Sequence, residues 1–251
     1  MKYLKKVVSK IRKEFRKIAD KYSLKKKKFL TGKVKRENCK SIEEVLKIHF
    51  KTYTDKEHPC RDTLSLALEL LDEKPARIVE TGSSAWGANS SMLFDLYVSN
   101  FGGSFNSVDI RIGPAINLSK KCSNLSNFWC DDSANWLSNL VDKSFGELNL
   151  VYLDSWDVDP KEPIESALHG LNEFLTILPL LKKGCLVLID DTPINKEHAL
   201  LVQGDNWANQ WVESKKKYGF PPGKGSLIKQ YIELNSLGKI IEHKYQLLIR
   251  I

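Results

Sequence analysis

The feature that most constrains this chain is a series of short, nearly continuous apolar runs, each closed by an acid and followed by a helical pattern. Leu148-Asn-Leu-Val-Tyr-Leu153 and Cys185-Leu-Val-Leu-Ile189 lack the polar alternation of a half-exposed strand, so they fit a parallel sheet covered on both faces. Strands are predicted at about 77–81, 105–110, 127–131, 148–154 and 185–190, with helices at roughly 88–100, 114–123, 133–141 and 165–182 between them. Strand and helix in alternation predict a doubly wound α/β fold with a mostly parallel sheet. The last apolar run, Tyr245 to Ile251, reads as an antiparallel closing strand at or near the sheet edge.

The charge is divided along the chain. The net charge is +8, yet residues 1–40 hold 17 of the 39 Lys and Arg against Glu14, Asp20 and Glu37, so this segment carries +14 and the remainder −6. Two parts are expected: a basic arm at 1–40 and a main domain at 41–251. Leu4, Val7, Val8, Ile11, Phe15 and Ile18 recur at three- and four-residue spacing, which predicts a basic amphipathic helix over Met1 to Ala19. Such a helix suits an anionic membrane surface through residues 1–30, RNA, a partner or a second subunit, or simply the body of the protein. Ser41-Ile-Glu-Glu44 has the form of a capping box that opens the next helix.

No apolar run approaches the ~20 residues that span a bilayer. Cys39, Cys60, Cys122, Cys130 and Cys185 are odd in number and scattered, which points to free thiols in a reducing cytoplasm rather than a disulfide framework or a zinc site. The acidic body argues against a broad nucleic-acid groove.

Ligands of open parallel sheets bind at the carboxyl ends of the strands. Here those ends read Glu80-Thr-Gly82, Asp109, Asp131-Asp-Ser133, Asp154-Ser-Trp-Asp157 and Asp190-Asp191. One such acid would serve as a helix cap, but all five strands end in one. Val79-Glu80-Thr-Gly82-Ser-Ser84-Ala-Trp86-Gly87 lacks the Gly-x-Gly-x-x-Gly that a pyrophosphate requires. An acid ahead of the glycine turn suits a ligand that presents an ammonium group.

Over roughly residues 60–251 these motifs resemble the class I S-adenosylmethionine (SAM)-dependent methyltransferases. Among them the chain looks most like the metal-dependent O-methyltransferases, the group of catechol O-methyltransferase and the macrocin-type sugar enzymes. The resemblance implies a Rossmann-like methyltransferase fold in which the loop with Glu80, Gly82, Ser84, Trp86 and Gly87 holds the methionine end of SAM. It also implies that Asp109 accepts from the ribose hydroxyls and that Asp132 and Ser133 lie beside the adenine. Leu153-Asp154-Ser-Trp156 and Gly184-Cys-Leu-Val-Leu-Ile-Asp190-Asp191 resemble the motifs that bind Mg²⁺ or a similar divalent ion, through Asp154, Asp190 and Asp191.

The implied reaction is methyl transfer to a hydroxyl of a small molecule or sugar, with the ion orienting that hydroxyl. A metal-independent methyltransferase and an RNA-modifying protein are the alternatives. Where the catechol enzyme has a lysine three residues beyond its first metal-binding Asp, this chain has Asp157. Asp157 is therefore the preferred proton acceptor, ahead of Asp159, Lys161 and His198. Trp207 and Trp211 suit either an acceptor pocket or one buried helix face.

Overall fold

Five strands form the centre of the protein: β2 (Ala76–Thr81), β3 (Gly103–Asp109), β4 (Ser126–Cys130), β5 (Leu150–Leu153) and β6 (Leu186–Ile189). They are seen in a computed structural model that describes residues 27–30, 36–54, 58–83, 87–142 and 146–251. These strands lie in the order β4-β3-β2-β5-β6, every neighbouring pair parallel. The chain winds outward from β2 through β3 to β4, then crosses back to β5 and β6 on the other side of β2. This reversal opens a crevice at the carboxyl ends of β2 and β5, the usual ligand position in such sheets.

Successive strand residues point to opposite faces, and both faces are dry. Ile78, Leu150, Tyr152, Leu186 and Leu188 pack with the apolar sides of α1 (Ile42–Thr52), α2 (Arg61–Glu69), α3 (Ser90–Phe101) and α4 (Ile112–Lys121). Val79, Val151, Leu153, Val187 and Ile189 pack on the other face with α5 (Ser133–Asp142), α6 (Ile164–Ile177) and α9 (Ser226–Asn235). The strands are thus apolar throughout because each residue has a helical layer to bury against. The predicted strands and helices of this central unit all form. At the start of α1 the Ser41 Oγ accepts from Glu44 N, while Glu44 reaches back to Lys40 N at 2.7 Å, one residue earlier than a strict capping box would have it.

The edges differ in detail from the sequence-based expectation. The closing strand β8 (Leu247–Arg250) is antiparallel to β6, but β7 (Lys239–His243) pairs with its far side, so β8 is interior. At the opposite edge β1 (Lys27–Leu30) runs antiparallel on β4. Residues 27–30 read as part of the arm from sequence alone, yet they extend the sheet. Arg36 pairs with Asp95 of α3, their side chains 7% and 0% exposed, and Cys39 N donates to Asn100 Oδ1 at 2.7 Å. The helix expected over Met1 to Ala19 lies outside the described residues. Beyond β6, the polar stretch that carried no interpretable motif folds as α7 (Lys196–Gln203) and α8 (Asp205–Tyr218).

Candidate active site

The β2–β5 crevice is built by a close backbone approach. Gly82 has φ +81°, and a Cβ there would stand 2.3 Å from the Asp154 carbonyl oxygen, so only glycine admits the end of β5. Gly82 N donates to Val108 O at 2.8 Å, and Asp154 N donates to Thr81 O at 2.9 Å. These bonds bring the ends of β2, β3 and β5 around one cleft. Gly87, at φ +76°, completes the turn ahead of α3, while Ser84 and Trp86 lie outside the described residues.

On one side of this junction is a cavity of about 260 Å³. Gly82, Asp109, Asp132 and Ser133 line it beside Asp154, Asp157 and Trp156, so four of the residues expected around a cofactor share one space with two of those expected at the reaction centre. Asp109 sits in its wall, its Oδ1 taking Arg111 N at 2.7 Å and Arg111 Nε at 2.9 Å, and its Oδ2 taking Arg111 Nη2 at 2.8 Å. Both lone pairs of Oδ1 are thus engaged by Arg111 and one of Oδ2 is left, so a ligand hydroxyl would be accepted at Oδ2 or in exchange for an Arg111 contact. Asp132 Oδ1 also caps α5 through Asn135 N at 2.9 Å, so the helix-cap role considered for a strand-end acid coexists with cavity lining.

Glu80 is placed differently from the expectation that it meets an ammonium group. Its carboxylate is fully buried beneath α3 and accepts from Ser90, Ser91 and Ser107 at 2.5–2.6 Å. Burial raises its pKa to about 7 despite these three hydroxyls. The reason is strand periodicity: Glu80 shares a face with Ile78, turned from the cleft, and it organises the turn from behind.

His169 and Glu173 were not singled out in the sequence. Both lie on α6 below the first cavity. The His169 Nε2 is 3.1 Å from Ser133 Oγ and 2.9 Å from Ser155 Oγ, and it pairs with Glu173 Oε1 at 3.3 Å. The Trp156 ring lies over His169 with centroids 5.1 Å apart. Burial pulls the His169 pKa down, but the Glu173 carboxylate outweighs it and the net shift is upward. A histidine and a glutamate four apart, and so on one face of a predicted helix, were the available signal.

The second cavity, about 460 Å³, meets the first at Gly82, Arg111, Asp154 and Asp157. Asp190, Asp191, Lys224, Tyr245, His58 and Gln203 are among its other lining residues. Asp154, Asp190 and Asp191 each offer a carboxylate oxygen, all within 4.8 Å of one another. Their orientation is set by neighbours: Gln246 Nε2 donates to Asp190 Oδ1 at 2.6 Å, Cys60 Sγ donates to the same oxygen at 3.3 Å, and Tyr245 OH donates to Asp191 Oδ1. Burial and the facing Asp190 carboxylate push the Asp154 pKa well above the usual range. Lys224 answers part of that charge, with its Nζ 2.6 Å from Asp154 Oδ1 and 2.9 Å from Asp191 Oδ2. Its only advance sign was Phe220-Pro-Pro-Gly-Lys-Gly225, a glycine-flanked lysine in an otherwise unread loop.

Asp159, Lys161, His198, Trp207 and Trp211 fall outside both linings. Asp159 caps its own turn by accepting from Lys161 N at 2.9 Å, and His198 is engaged by Asn195 at the start of α7. Trp207 is buried and the Trp211 Nε1 donates to Pro193 O at 3.3 Å, so these two rings serve helix packing.

No protein-family model matches the chain, and no curated protein matches it in sequence. Solved structures do. The MycE methyltransferase from the mycinamycin biosynthetic pathway, in complex with Mg and SAH, superposes with a TM-score of 0.54 at 15% identity, covering 88% of this chain and 55% of that one. Its complex with Mg, SAH and mycinamycin VI gives a TM-score of 0.52 at 14% identity, covering 83% of this chain and 53% of that one. The chain therefore spans about half the length of the protein it matches, and what it shares is the Rossmann-like methyltransferase fold.

Proposed function

We propose that this protein is a SAM-dependent O-methyltransferase that transfers a methyl group to a hydroxyl of a small molecule or sugar, assisted by a divalent cation. The observation that carries this reading is the meeting of two cavities at Gly82, Arg111, Asp154 and Asp157, on the ends of the central strands. A two-substrate transfer needs such a junction, because donor and acceptor atoms must be aligned within one enclosed space.

The first cavity has the chemistry of a nucleoside site. Asp109 offers a carboxylate to a diol, Asp132 and Ser133 offer polar edges, and Val108, Ile110 and Trp156 offer apolar surface to a flat ring. SAM supplies an electrophilic methyl group on a sulfonium leaving group. Gly82 keeps the turn low enough for a ligand to lie against the backbone. The second cavity is polar and acidic, which suits a hydroxylated acceptor.

The donor set of the triad also fits a divalent ion. It consists of three hard carboxylate oxygens whose charge Lys224 only partly offsets, in a site already braced by Gln246 and Tyr245. Asp154, Asp190 and Asp191 would hold the ion, which would lower the pKa of an acceptor hydroxyl. Asp157 lines both cavities, which supports it as the acceptor of the hydroxyl proton.

The test is transfer of radiolabelled methyl from SAM to a panel of hydroxylated acceptors, with Mg²⁺ or with a chelator. Asp157→Asn is expected to lower kcat by about 10²-fold or more while SAM affinity stays unchanged. Full activity in that variant would remove Asp157 from the reaction. Full activity under chelation would favour the metal-independent alternative.

Residues 1–30 suggest a second contact. Among the described residues no helix is long and apolar enough to cross a membrane. The basic amphipathic pattern supports attachment to an anionic surface. Salt-sensitive co-sedimentation with phosphatidylserine vesicles, lost on deletion of residues 1–26, is the expected result.

A further inference from the structure

The most unusual side chain of the site is Lys224. Its side chain is 3% exposed and it spends its donors on the acids: Asp154 Oδ1 at 2.6 Å, Asp191 Oδ2 at 2.9 Å and the Asp154 carbonyl oxygen at 3.3 Å. An ammonium group has three N–H donors, so none remains for an acceptor molecule. The lysine thus contacts two of the three carboxylates that would hold a divalent ion, in the way a cation would.

This placement is built into the fold. The Lys224 N donates to Asp191 O, and Gly225 N donates to Thr192 Oγ1 at 2.9 Å, which ties the lysine loop to the residues just beyond β6. From below, α6 comes so close that a Cβ on Gly170 would stand 2.4 Å from Lys224 O. Two elements therefore fix the backbone from which the ammonium reaches into the triad. A lysine drawn in only by its charge would need neither contact.

We propose that Lys224 is a tethered competitor for the cation site, so that a divalent ion binds the Asp154–Asp190–Asp191 triad only by displacing the Lys224 ammonium from its carboxylates. The inference rests on the divalent-ion reading of the triad given above. It adds a property of this chain: a resident cation bridges β5 to the loop after β6 through two of the same carboxylates. Charge decides the consequence. With Lys224 in place an incoming ion meets a positive charge and must take over two oxygens that are already ion-paired. Without the ammonium the same oxygens are free.

The experiment is calorimetric titration of Mn²⁺, without SAM or acceptor, into the full-length wild type, Lys224→Met and Lys224→Gln. Lys224→Gln keeps an amide to donate to the carboxylates, which guards against a Lys224→Met protein that does not fold. Removing the competing charge at this separation is expected to tighten Mn²⁺ binding by at least about tenfold. Mn²⁺ is also expected to raise the melting temperature of either variant more than that of the wild type. Equal or weaker Mn²⁺ affinity in the variants overturns the proposal, as does an absence of Mn²⁺ binding in all three proteins. SAM titrated into the same samples separates the two readings. If none of the three binds SAM while the Mn²⁺ ranking holds, the donor assignment fails and the competition stands.

Discussion

Glu80 is legible in the sequence as the acid ahead of the glycine turn, but the hydroxyls its carboxylate meets, from Ser90, Ser91 and Ser107, are not. Ile78 and Glu80 face α3, whereas Thr81 faces α6 and its hydroxyl donates there to Glu173 Oε2 at 3.2 Å. The buried carboxyl makes a pH prediction. Its pKa is 4.5 in the unfolded chain and about 7 in the native state, so between these values the native state binds more protons. Stability from this group is therefore full below about pH 4.5 and falls as pH rises to about 7, by about 3 kcal/mol, then levels off. Glu80→Gln should flatten that part of the profile, read as unfolding free energy in urea from pH 5 to pH 8. Identical slopes in the two proteins would show that Glu80 does not titrate in this window.

The central elements were legible because their physics is local. A strand buried on both faces is apolar at every position, and the acids that end such strands stand out against that background. The edge strands follow other rules. β1 begins in a lysine run that reads as a solvated charge cluster, and charge on an outer strand also discourages edge-to-edge aggregation. β7, Lys-Ile-Ile-Glu-His, is half-exposed and interrupted by a register shift between Ile240 and Glu242, so it has neither a clean alternation nor a dry core pattern.

The junction of residues 36–39 with the body carries a prediction of its own. Asp95 accepts from Ser123 N, Ser123 Oγ and Ser126 Oγ as well as pairing with Arg36. Arg36→Met leaves those three donors but removes the cation from a buried pair, so it should cost about 3 kcal/mol in denaturant unfolding. A loss below about 0.5 kcal/mol is what a surface arm would give, and it would contradict the integration seen here.

At the scale of the whole molecule, function depends on residues far apart in sequence meeting at one crevice. The acids at Asp109, Asp132, Asp154, Asp157, Asp190 and Asp191 were readable because each follows a strand whose end the sheet must present to the same side. Lys224 was not, because it arrives from a loop 33 residues after Asp191 and only the packing on α6 and Thr192 brings it back. The proposed reaction stands on SAM binding in the cavity walled by Asp109, and calorimetric titration of SAM into the wild type and Asp109→Ala tests that binding. The expected result is one site per chain in the wild type and at least about tenfold weaker binding in Asp109→Ala, with its thermal unfolding nearly unchanged. Equal affinity in the two proteins, or no binding by the wild type at millimolar SAM, would overturn the assignment of this cavity to SAM.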